Sequence, residues 1–208
     1  MRNGLSIVVR TALALVLGLS LAAVPLATPA APLVIGSARV TIAGTSNIHD
    51  YTASTTTVRL TRVQLGALPA GGEFLENALK PGVVEAFEVA IPAATLKSTK
   101  DGLDKNMHAA LKASEHPDIA FRLIRFEASP APAGGMRAVG VLRIAGVERQ
   151  VTIAITTERK DAALVVKGSL ALLMTDFGIT PPKALMGTIK TDPKVTITLE
   201  LALAANLT

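Results

Sequence analysis

Residues Ala138 to Thr157 alternate apolar and polar side chains around one short glycine-bearing link, and no other stretch restricts the fold as tightly. Ala138, Gly140, Leu142 and Ile144 share one face of the first half, and Arg137, Val139, Val141 and Arg143 share the other. Beyond Ala145-Gly146-Val147-Glu148, the residues Val151, Ile153 and Ile155 stand opposite Thr152, Ala154 and Thr156. A period of two sends successive side chains to opposite sides of a pleated strand, and so short a link returns the chain antiparallel.

The same period recurs along the chain. Val40 and Ile42 share a face in Ala38–Gly44. Val58 and Leu60 alternate with Arg59 and Thr61 in a long strand read from Thr55 to Leu65. Phe87, Val89 and Ile91 oppose Ala86, Glu88 and Ala90 in Val83–Ile91, and Ile119–Phe126 reads as another strand. Leu164, Val166, Leu170 and Leu172 are in register, and Val195, Ile197, Leu199 and Leu201 alternate with Thr196, Thr198 and Glu200 in Lys194–Leu203. Met174 to Lys190 reads as an irregular connection. One helix is expected over Asp101–Lys112, where Leu103, Met107 and Leu111 form a stripe and Ser98 and Thr99 are candidate caps. Phe74 to Leu79 suits a single helical turn before Pro81-Gly82.

About eight strands without strand–helix–strand alternation predict an all-β antiparallel barrel or sandwich. A closed barrel of that size is either filled by its own side chains or holds one small ligand. Ala90, Gly140, Ala154 and Gly168 are small residues read as part of the lining, which leaves room for an elongated apolar guest. Pattern alone leaves a filled core equally open.

Residues 1–30 read as a secretory leader rather than as fold. Arg2 and Arg10 are basic, Thr11 to Ala23 is a nearly unbroken apolar run of 13 residues, and a small-residue tail follows. Ala27 or Ala30 suits cleavage, and no cysteine is present to carry a lipid anchor. The expectation is one exported domain, residues 31–208, periplasmic or secreted, with no membrane span once the leader is removed. Without Arg2 and Arg10 the chain holds 19 basic against 16 acidic residues, interspersed. That balance argues against a nucleic-acid partner. Few aromatic residues also argue against a stacking surface for single strands.

Four segments together resemble the YceI family of lipid- and polyisoprenoid-binding-like domains. They are Gly44-Thr-Ser46-Asn-Ile-His49-Asp50-Tyr51; Met107-x3-Leu111-x4-His116-Pro117-x-Ile119-x-Phe121; Gly140-x-Leu142-x-Ile144-x-Gly146-Val147-x-Arg149-x-Val151; and Met174-Thr175-Asp176-Phe177-Gly178-Ile179-x-Pro181-Pro182. They occur in the family's order over essentially the whole of residues 31–208. Tyr51 stands where the family commonly has Trp, and Pro130 to Gly135 carries no match. The resemblance implies an extended, lipocalin-like antiparallel barrel with a short helix beside its mouth. It also implies a long apolar tunnel for an isoprenoid or other lipid tail, and no catalytic role.

Ser46, His49 and Asp50 invite a hydrolytic reading, but residues so close in one turn rarely form a relay, and no Gly-x-Ser-x-Gly elbow is present. The simpler reading has their short polar side chains bonding nearby backbone at a strand crossover. His49, His108 and His116 lack a familiar metal-ligand spacing, so neither metal nor cofactor is expected. Lys97, Lys100, Lys105 and Lys112 flank the helix and either attract an anionic headgroup or form a solvated face with Asp101, Asp104 and Glu115.

The expected function is therefore non-catalytic binding of a polyisoprenoid, isoprenoid quinone or fatty-acid-like lipid. The expected apolar lining is Phe87, Phe121, Leu123, Leu142, Ile153, Ile155, Leu170, Leu172, Ile197 and Leu199. Ser46, His49, Asp50 and Tyr51 are the candidate headgroup or mouth residues. A filled barrel acting in stress response or as an interaction module is the alternative, an enzyme using His49 on a lipid-like substrate is the third reading, and a homodimer is compatible with each.

Overall fold

The computed structural model describes residues 32–71, 73–129, 135–184 and 188–206. The expected leader and the loop residues 130–134 lie outside the described residues. Ten strands are described: β1 (Leu33–Ser46), β2 (Asp50–Thr55), β3 (Arg59–Leu65), β4 (Val84–Pro92), β5 (Asp118–Ala128), β6 (Met136–Ile144), β7 (Val147–Lys160), β8 (Ala163–Leu173), β9 (Lys183–Ala184) and β10 (Ile189–Ala205). Two α-helices accompany them, α1 (Phe74–Ala78) and α2 (Asp101–Ala110), with 3₁₀ turns at Ala93–Thr95 and Met174–Phe177. The sheet runs β2-β1-β10-β8-β7-β6-β5-β4-β3, every described pairing is antiparallel, and β9 pairs only with β10.

The hairpin of β6 and β7 forms with the expected alternation except at Val139, which is buried although expected on the opposite face. Ala138, Gly140, Leu142 and Ile144 are buried, as are Ile153 and Ile155, while Arg137, Arg143, Thr152 and Ala154 are exposed. Its two-residue turn has positive φ at both positions, 49° at Ala145 and 82° at Gly146. Two positive values are the backbone of the hairpin turn that matches strand twist, and glycine accepts the second without steric cost. The first and last strands then zip together from Leu33 opposite Ala205 to Ser46 opposite Thr191. That long ladder curls the sheet into a half-barrel.

The strand count differs from eight for a local reason. The stretch read as one strand from Thr55 to Leu65 is broken after Thr55. The Thr55 hydroxyl accepts the Thr57 N–H at 3.0 Å and lies 2.8 Å from the Thr95 hydroxyl, which itself donates to the Pro92 carbonyl at 2.7 Å. Those bonds turn the chain out of β2 and into β3. Asp50 and Tyr51, read as part of a polar knot, already belong to β2 and pair with Thr45 and Gly44. Short strand segments also occur inside the connection read as irregular, at Lys183–Ala184 and from Ile189 onward.

The strands at the two ends of the sheet path, β2 and β3, are consecutive in the chain, and among the described residues no ladder joins them. Part of the β2 edge is instead covered by the segment after β4. Ser54 N–H donates to the Lys97 carbonyl at 2.8 Å, and Lys97 N–H returns the bond at 2.9 Å. An edge strand covered in this way offers fewer unpaired backbone groups to other chains.

Two apolar clusters fill the curl. One joins Leu33, Leu123, Ile153, Ile155, Leu164 and Leu203 to Leu75, Ala78 and Leu79 at α1, so this short helix closes one end. The other joins Leu96, Leu111, Ile119, Leu142, Ile144, Phe177 and Val195 near α2. Phe121, Val151 and Leu170 pack against both and mark a waist between them. Helix α2 is shorter than the expected Asp101–Lys112 and is anchored from inside. Buried Asp104 accepts the Ser98 N–H at 2.7 Å through Oδ1, and its Oδ2 lies 3.7 Å from Lys97 Nζ. Ser98, expected as a cap, instead bonds through its hydroxyl to the Lys100 backbone.

Candidate functional site: an apolar cavity with a polar mouth

Inside the curl is a cavity of about 120 Å³ whose wall is made entirely of Ala, Val, Leu, Ile and Phe side chains. It takes residues from every long strand, among them Val40, Phe87, Leu123, Leu142, Ile153, Val166 and Leu199, and Leu79 lines its closed end. It adjoins a second cavity of about 460 Å³ along Ile42, Ile119 and Ile197, which line both. The deep cavity is smaller than the ~150 Å³ apolar void that holds one benzene, whereas the outer one lies in the ~300–1,000 Å³ range of ligand sites.

The outer cavity is mixed in character. Leu103, Met107, Ala110 and Leu111 line one wall, so the apolar stripe of the helix serves both packing and lining. Met174 and Phe177, from the 3₁₀ turn after β8, and Ile179 just beyond it line it as well. Its polar lining residues are Ser46, His49, Tyr51, Lys100, Asn106, Lys183 and Thr191. Methionine adapts to varied apolar partners, which suits a wall that meets a flexible guest.

The segment 46–51 is held in place by its own short side chains. The Ser46 hydroxyl donates to the His49 carbonyl at 2.8 Å and accepts the Ile48 and His49 N–H groups at 3.3 and 3.2 Å. Asn47 clasps the start of β10, donating from Nδ2 to the Thr188 carbonyl at 2.9 Å and accepting the Lys190 N–H at 2.8 Å. The Tyr51 ring lies on Gly44 directly across the ladder, where any side chain at 44 would stand. Burial pushes the Tyr51 hydroxyl above its ordinary value, and the negative charge of Asp192 pushes it further.

The hydroxyl of Ser46 is thus committed to local backbone, as the simpler reading of this turn expects, and is not bonded to an imidazole. The three histidines do not gather. His108 Nε2 bonds the Leu96 carbonyl at 2.9 Å, the His116 ring lies against Gly146, and His49 is exposed at the mouth. Among the described residues no group of three or more His, Cys, Asp or Glu side chains is placed to hold a metal ion.

Of the expected apolar lining, Phe87, Phe121, Leu123, Leu142, Ile153, Ile155, Leu170, Ile197 and Leu199 stand on the deep wall, and Leu172 stands in the outer cavity. Ser46, His49 and Tyr51 line the mouth. Asp50 does not: it follows the strand alternation outward and is exposed. Ala154 is likewise on the outer face, and Ala90 lies between the lining residues Val89 and Ile91 without lining the cavity. Lys100 reaches the mouth, while Lys97 pairs with Asp104. The sequence reading does not single out Asn106, Lys183 or Thr191. Asn106 shares α2 with the apolar stripe, Lys183 comes from the connection without period, and Thr191 stands in the part of β10 that precedes the expected strand Lys194–Leu203.

The family model for the YceI-like domain matches residues 37–203. Among solved structures, Burkholderia cenocepacia BcnA is similar at 16% identity, with 81% of this chain and 96% of that chain covered and a TM-score of 0.62. A polyisoprenoid binding domain from Saccharophagus degradans, implicated in plant cell wall breakdown, is similar at 9% identity, with 85% and 99% covered and a TM-score of 0.60. No curated protein matches the sequence.

Proposed function

We propose that this chain, which belongs to the YceI-like domain family, is a non-catalytic binder that takes the tail of an isoprenoid or other long-chain lipid into its half-barrel. The observation that carries this reading is the adjoining pair of cavities, the deep one lined by apolar side chains alone and the outer one adding polar side chains. Water gains nothing from such a wall, whereas each methylene buried there contributes about 0.8 kcal/mol before ordering costs. The likeness to a polyisoprenoid binding domain supports the same reading. Residues 1–30 have the layout of a leader, so we propose export, with residues 31–208 acting in the periplasm or outside the cell.

Native mass spectrometry of protein isolated from the cell envelope tests this directly. A lipid adduct is expected, and delipidated protein is expected to take up polyprenyl or fatty-chain probes. Absence of both would sink the proposal.

A second reading is favoured by one observation. The deep cavity holds only about 120 Å³, and Phe121, Val151 and Leu170 pack against both apolar clusters. A barrel filled by its own side chains, acting through its outer surface, would look like this at depth. Probe uptake that is blocked by enlarging a side chain on the deep wall separates the two.

A further inference from the structure

We infer that the mouth seats a ligand end group carrying negative charge, a phosphate or a carboxylate, and discriminates against the same chain ending in a neutral alcohol. This rests on the lipid-binding reading above and goes beyond it by naming the chemical class of the end group.

Three side chains capable of positive charge line the outer cavity, Lys100, Lys183 and His49, and no carboxylate lines it among the described residues. Asp50 and Asp192 are exposed and outside the lining, and so is Asp101 beside Lys100. Asp104 is buried and already engaged by Ser98 and Lys97. Neither Lys100 nor Lys183 is in an ion pair among the described residues, whereas Lys97 and Lys167 are. The two lysines therefore face the cavity without an ion-pair partner, and Asp192, whose charge reaches Tyr51, acts on the mouth from outside its lining.

The neutral donors agree in sign. Asn106 and the Tyr51 hydroxyl line the same cavity, and both can donate to an anion. Lysine is a compact, flexible point charge that suits phosphate or carboxylate without fixing one geometry. The wide outer cavity beside a narrow apolar one divides the space as an amphiphile with a bulky charged end would need.

The test uses delipidated protein and matched probes: geranylgeranyl diphosphate against geranylgeraniol, and palmitate against hexadecanol, with inorganic diphosphate alone as a further arm. At low salt at least one anionic probe is expected to bind about tenfold or more tightly than its alcohol, with the margin shrinking as salt rises. Lys100→Gln and Lys183→Gln, both at exposed positions, are each expected to reduce that margin, and the double variant to abolish most of it. Equal binding of anion and alcohol overturns the charge inference and leaves the lipid reading standing. Failure of all four lipids to bind overturns both. Inorganic diphosphate binding as tightly as its lipid ester identifies a free-phosphate site and overturns the headgroup assignment.

Discussion

The ring of Phe121 lies over the bare Cα of Gly140 on the neighbouring strand, at the waist where the two apolar clusters meet. A Cβ at Gly140 would fall on the ring and only 2.6 Å from the Arg122 carbonyl oxygen. The ring could swing aside, but the carbonyl is backbone and cannot. Gly140→Ala is therefore expected to destabilise the fold by about 1–3 kcal/mol, the usual cost of overpacking. A urea midpoint equal to that of the parent protein would contradict the contact.

Ala138 lines the deep cavity on the same strand and has space before it. Ala138→Leu is expected to fill part of that space with little loss of stability. Each methylene of a guest that no longer fits costs about 0.8 kcal/mol, roughly fourfold in affinity. Titration with a fatty-chain fluorescent probe should show weaker binding at an unchanged urea midpoint. Unchanged binding would place the probe elsewhere and favour the filled-barrel reading.

Tyr51 is the single tyrosine of the chain, so its phenolate absorbance reports this site alone. Burial first and Asp192 second raise it above the ordinary value of 10.0. A group raised in the folded state favours folding below the unfolded value and loses that contribution as pH climbs through the folded one. An ultraviolet titration should therefore show a midpoint above 10.0, and Asp192→Asn should lower it without restoring the ordinary value. A midpoint at or below the ordinary value would mean that the hydroxyl is not held in the wall as described.

Asp104 behaves in the opposite sense. Hydrogen bonds from Ser98 hold its carboxyl below the ordinary value of 3.8, with Lys97 and His108 adding to the effect against the opposing cost of burial. A depressed carboxylate stabilises above its unfolded value, and the contribution is lost as pH falls through the folded one. The parent protein should lose stability below that ordinary value, and Asp104→Asn should be less stable at neutral pH and flatter across the acid range. Thermal melts at successive pH values decide it: parallel curves for both proteins would remove Asp104 from the acid response.

The lining residues were legible because alternation in a strand is also alternation between wall and solvent. Leu142, Ile153 and Leu199 could be placed on one side of their strands from neighbours alone. The same rule would have turned Asp50 outward had its segment been read as a strand. It was hidden by Ser46 and Asn47, whose turn-forming side chains conceal that pairing resumes at once. The break after Thr55 was equally hidden, since it depends on Thr95, which is far along the chain. Lys183 reaches the mouth from a connection without period and Thr191 from the first residues of β10, ahead of the alternating stretch, so no local pattern announces them.

By itself the sequence determined the antiparallel class, the apolar side of nearly every strand, a turn within Ala145-Gly146-Val147-Glu148 and the stripe on α2. These depend on local sterics and on which side chains avoid water, and both are written residue by residue. The tertiary structure decided how far the sheet curls, which helix closes the barrel and which lines its mouth, and how much space remains inside. That space is a small difference between the volume enclosed by the strands and the volume of their side chains, and close packing makes it a property of the whole assembly. Lys100 and Lys183 meet at one mouth for the same reason: the fold, not the spacing, brings their charges together.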